Sequence, residues 1–135
     1  MSTRVVSLFL SIGLLALVGC APRINVRNFT SGQVSAGVQT HDVRDHVLTD
    51  TQLAALSNWI TARDDWSGMT LNIPEHPSIE VDMQGADGQG TNLTVYEHEN
   101  GTATAYLYHA HRVAPLMRKL SASDLATLKS IISGQ

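Results

Sequence analysis

Histidine and tyrosine are the side chains whose spacing in this sequence comes nearest to chemistry. Six histidines are present. His109 and His111 stand two apart, which puts both imidazoles on one side of an extended strand. His98 lies between Glu97 and Glu99. A zinc or copper site needs three or four ligands converging at about 2 Å, and a pair at i, i+2 supplies half of that. His98, His109 and His111 are the ligands a metal-handling protein would use here; solvated histidines at a strand end are the plainer reading. No resident cofactor is expected. Tyr96, Tyr106 and Tyr108, with Thr94 and Thr104, fall on alternate positions of two strands. They line either an outer interface, where an apolar ring with a polar hydroxyl is favoured, or a surface packed beneath a helix.

Other constellations fall short of catalysis. Asp64 and Asp65 are adjacent at a helix end and point to different faces, so they are no general acid/base pair. Gly85–Gly90 lacks the Lys–Ser/Thr ending of a phosphate loop and has too few acids for a calcium loop. No Gly-x-Ser-x-Gly elbow is present. The sequence does not point to an enzyme. Its net charge of −3 gives no electrostatic footprint for nucleic acid.

The only cysteine is Cys20, so no intramolecular disulfide can form. It follows Arg4, an apolar run from Val5 to Val18, and Gly19. That run is shorter than the ~20 residues a membrane span needs and suits the apolar core of a signal peptide. Leu17–Val18–Gly19–Cys20 resembles the lipobox of bacterial lipoproteins. The resemblance implies cleavage after Gly19, acyl chains on Cys20 and attachment to a membrane facing the periplasm. Ala21, in place of Asp, implies the outer membrane by that family's usual sorting rule. Two or three chains, at ~0.8 kcal/mol per buried methylene, anchor stably. The chain beyond is similar in size and pattern to small proteobacterial lipoproteins.

The elements that position these residues follow from periodicity. Residues 1–19 read as the signal and 20–46 as the lipidated N-terminus and a flexible tether, with Ile24 and Val26 offering at most a short strand. Twenty-six flexible residues would span roughly 25–30 Å. Residues 47–135 read as a small α+β domain. Leu48–Leu56 is echoed by Leu120–Leu128. In each, an N-cap hydroxyl (Thr49, Ser121) precedes a partner three residues on (Gln52, Asp124), and leucines at N′ and N4 can staple across the cap. Convergence on good helix-start chemistry accounts for the echo without duplication. Leu53, Leu56 and Ile60, and Leu125, Leu128, Ile131 and Ile132, continue each helix on one face. Gly68 and Gly134 stand just past the expected ends. Between the helices the period falls to two in Ile79–Met83, Leu93–Tyr96 and Ala103–His109, with Asn100–Gly101 read as a type I′ turn. The expected fold is therefore α+β: helix, three-stranded antiparallel meander, helix, with the helices on one face of the sheet.

The functional expectation is a membrane-anchored, periplasm-facing lipoprotein that works as a non-enzymatic binding module. Its partners would be the membrane, through Cys20, and a periplasmic protein, with no nucleic acid. An immunity or inhibitor lipoprotein acting on a periplasmic toxin or lytic enzyme is a sharper version. Metal handling through the three histidines is a different class.

Overall fold

A computed structural model describes residue 26 and residues 28–68, 72–109 and 114–134. Strand β1 runs over Phe29–Ala36 and the two-residue β2 over His46–Val47; helix α1 follows at Asp50–Thr61. Then come β3 (Ser67–Gly68), β4 (Ile79–Gly85), β5 (Gly90–Glu97), β6 (Ala103–His109), β7 (Leu116–Leu120) and helix α2 (Ala122–Ser133). The strands form one seven-stranded sheet in the order β2-β1-β4-β5-β6-β7-β3. Each pairing is antiparallel. Helix α1 carries the chain from one edge of this sheet to the other, since β2 and β3 are the two edge strands.

This overturns the expected helix, three-stranded meander, helix. The three anticipated strands are β4, β5 and β6, but they form the middle of a larger sheet. The flexible tether is corrected with it. Val26 is buried at 2% exposure, and β1 pairs with β4 along its length, from Phe29 opposite Gly85 to Ala36 opposite Ile79. The hydrophobic signal of β1 is weak because its inward positions, Gly32, Val34 and Ala36, are small. Gly32 must be small: a Cβ there would stand 2.8 Å from Leu53 Cδ2 and 3.0 Å from Leu48 Cδ1. Strand β7 escapes the pattern for another reason. Its inward residues are Leu116, Arg118 and Leu120, all buried, and the central arginine disguises the alternation.

Both helices cover one face. Val34, Ile79, Val81, Leu93, Leu107 and Leu116 from the sheet meet Leu56, Ile60, Leu128 and Ile132 from the helices, each 0–1% exposed. Full burial of such a side chain contributes ~1.5–3 kcal/mol. Trp59 and Trp66 sit in the same core with their rings edge to face, 6.4 Å between centroids.

The repeated helix start has a structural role beyond capping. Both capping boxes form, and the N3 side chain of each helix reaches the opposite end of its neighbour. Gln52 accepts from the Thr49 backbone N–H (2.9 Å) and donates from Nε2 to the Ile132 carbonyl at the end of α2 (3.0 Å). His46 Nε2 meets the same carbonyl at 2.5 Å. At the other end Asp124 Oδ1 pairs with Arg63, just past α1, at 2.9 Å. The helices are thus antiparallel and stitched at both ends. Helix α2 stops at Gly134, which takes φ 73° as its C-cap, whereas α1 stops at Ala62 and Gly68 belongs to β3. At Asn100–Gly101 the type I′ expectation gives way to a longer loop. Only Gly101 takes a positive φ (84°), its N–H returns to the His98 carbonyl, and His98 N–H bonds Thr102.

Candidate functional site

Strand alternation sends one set of side chains into the core and the other to the face that carries no helix among the described residues. On β4 that second set is Glu80 and Asp82; on β5 it is Asn92, Thr94 and Tyr96; on β6 it is Thr104, Tyr106 and Tyr108. Register sorts them into rows. Asp82, Asn92 and Tyr108 stand side by side, as do Glu80, Thr94 and Tyr106, followed by Met117 on β7. The three tyrosines singled out from the sequence therefore share the helix-free face.

They are not equivalent. Tyr96 and Tyr106 are buried, with their rings edge to face at 5.5 Å. The Tyr96 hydroxyl donates to the Pro74 carbonyl at 2.8 Å, so the Pro74–Ser78 segment folds over that ring. Tyr108 is 39% exposed. Burial pushes the Tyr96 and Tyr108 phenols above their ordinary pKa. Both stay neutral at neutral pH, so the face presents rings and hydroxyls rather than phenolates.

The acidic side of this face was missed in the sequence. Asn92 Nδ2 donates to Glu80 Oε1 at 2.8 Å and to Asp82 Oδ1 at 2.6 Å. One amide thus holds two carboxylates beside the tyrosines. A cleft of about 410 Å³ opens here, lined by Glu75, Pro77, Glu80, Asn92, Thr94, Tyr96 and Tyr108. A second hollow, of about 510 Å³, lies across Pro77 and Glu80, which line both. Val38, fully exposed, forms part of its wall. The alternation of Glu80 and Asp82 about Val81 was the available signal, but their meeting with Asn92 depends on the β4–β5 register.

The histidines are placed apart. His98 Nε2 meets the Thr104 hydroxyl, and His109 Nδ1 meets the Thr91 hydroxyl, each at 2.8 Å. These contacts occupy opposite ends of the β5–β6 hairpin. His111 lies outside the described residues, as does Cys20. Among the described residues, no group of three or more His, Cys, Asp or Glu side chains is arranged to hold a metal ion. Gly85–Gly90 is a tight turn: Gly85 N–H bonds Gln89 O, and Asp87 accepts from the Gln89 N–H.

Charge on the helix face serves packing. Arg118 is 2% exposed, lies 5.3 Å over the Trp59 ring, and pairs with Asp65 (2.7 Å) and Asp124 (3.2 Å). Asp65 thus serves Arg118 and not its neighbour Asp64. Burial raises the pKa of Asp124, but the Ser121 backbone and hydroxyl, Arg118 and Arg63 outweigh it, and the net shift is downward. Lys129 bridges Asp42 (2.8 Å) and Glu97 (2.5 Å). Comparison of the chain with family models, with curated proteins and with solved structures returns no match.

Proposed function

We propose that the protein is a membrane-anchored lipoprotein facing the periplasm, held by acyl chains on Cys20, and that it works as a non-enzymatic binding module. Its docking surface is the helix-free face of the sheet. The observation that carries this reading is the division of labour between the two faces. One is closed by α1 and α2. The other gathers Tyr96, Tyr106 and Tyr108 beside Glu80, Asp82 and Asn92 around an open cleft. Aromatic residues over a polar rim are the composition of recognition surfaces.

Two experiments test the two halves. Cys20→Ala is expected to release the protein from the membrane fraction while its circular dichroism stays unchanged. Membrane association of that variant that survives a salt wash would overturn the anchor. A photo-crosslinking residue at position 119, exposed on the docking face, is expected to trap one envelope protein reproducibly. The same probe at position 126, on the exposed side of α2, is expected not to trap it. Equal trapping from both positions would remove the assignment of the face.

A further inference from the structure

We infer that the cleft beside Pro77 takes a basic side chain, in the first place arginine, presented by a partner polypeptide. This rests on the binding-module reading above and names the chemistry of its docking face.

The cleft's lining supplies one kind of group. Glu75 and Glu80 contribute carboxylates, and among the described residues no lysine or arginine lines it. Asn92 has its amide nitrogen engaged with Glu80 and Asp82, so its carbonyl oxygen is what it offers a ligand. Asp82 adds a third negative charge next to that amide. The floor carries the rings of Tyr96 and Tyr108, and Tyr108 is the more open of the two. Thr94, 7% exposed, lines the cleft as well, with its side chain hydrogen-bonded to Tyr96.

A guanidinium matches this lining group by group. Its planar face stacks on a tyrosine ring, its N–H fork suits a carboxylate, and it carries no acceptor to clash with the oxygens around it. An anionic side chain would be repelled by the Glu75 and Glu80 carboxylates. The volume, about 410 Å³, leaves room for the adjoining backbone of the partner as well as for the side chain.

The full chain, solubilised in detergent, is titrated by calorimetry with a Gly-Arg-Gly-Arg-Gly peptide. The control is the same peptide with citrulline, which keeps the shape and removes the charge. The arginine peptide is expected to bind and the citrulline peptide to bind at least tenfold more weakly, the loss of one charge-assisted hydrogen bond. Glu80→Gln and Tyr108→Leu are each expected to weaken the arginine peptide about tenfold, with unfolding midpoints close to the parent's. Raising the salt concentration should weaken binding in the parent and have less effect in Glu80→Gln. Equal affinity for arginine and citrulline, or arginine binding unchanged in both variants, would overturn the inference. If the peptide fails while position 119 still traps one envelope protein, the basic ligand is wrong and the docking face stands. If both fail, both readings fall.

Discussion

The two faces of the sheet use the same strands for opposite ends. On the helix side Ile79, Val81, Met83, Leu93, Val95, Ala105, Leu107 and Leu116 are closed over, and the charges that stray there are paired: Arg118 with Asp65 and Asp124, Lys129 with Asp42 and Glu97. On the other side the same strands carry Glu80, Asn92, Tyr96 and Tyr108 around a cleft, with Glu75 unburied at its rim. Dry packing accounts for folding, and recognition at the half-open face is the proposal that mutation can test. Each face should therefore respond to mutation in its own currency, stability on one and binding on the other.

The sharpest break between them is expected from Leu56→Ala, at a position with no exposure. It should cost about 2–5 kcal/mol in urea unfolding, whereas Lys119→Ala, exposed on the opposite face, should stay within about 0.5 kcal/mol. Comparable losses would deny the comparison its basis. Arg118→Ala comes next, at about 3 kcal/mol, because it removes the ion pairs to Asp65 and Asp124 and empties the space over Trp59. Arg118→Met, which keeps the packing, should recover much of that loss. Thr49→Ala and Ser121→Ala should each cost about 1 kcal/mol. A double variant that exceeds the sum would show that the two caps, linked through the crossed Gln52 and Asp124 contacts, act together.

The smallest effects are those of pH. Asp124 has a lowered folded pKa, so its contribution is present above the unfolded aspartate value of about 3.9 and is lost as pH falls through the folded one. Asp124→Asn should flatten that acid limb. Lys129 has the opposite sign. Burial opposes its charge, but Asp42 and Glu97 overcome it and raise its pKa. Its stabilisation is complete below the unfolded lysine value of about 10.4 and disappears as pH rises through the folded value. Midpoints measured across both limbs in the parent and in Lys129→Met would check it.

What was legible in the sequence was local. Thr49 with Gln52 and Ser121 with Asp124 announce two helix starts, because a capping box is complete within four residues. Ile79, Val81 and Met83 announce a strand by alternation alone. Strand β1 could not be read that way, since Gly32 is chosen for the nearness of Leu48 and Leu53, which lie beyond the strand in the chain. Strands β2 and β3, two residues each, exist only because a neighbour is there to pair with. The site divides likewise: the tyrosines show by type and spacing, while the Glu80–Asn92–Asp82 contact waits on register.

The burial of Val26 carries a consequence for reach. Only five residues separate it from Cys20, and even fully extended they let the chain cover about 20 Å, at roughly 3.3–3.6 Å per residue. A lipid on Cys20 would hold this domain on a short leash, where a linker of twenty-six residues would have let it roam. The leash joins the Phe29 end of β1, and the Pro74–Pro77 wall of the cleft stands at the Ala36 end, since Ser78 takes the Gly37 N–H. With the lipid in place, the cleft would stand at the end of β1 away from the attachment, turned from the membrane that holds it.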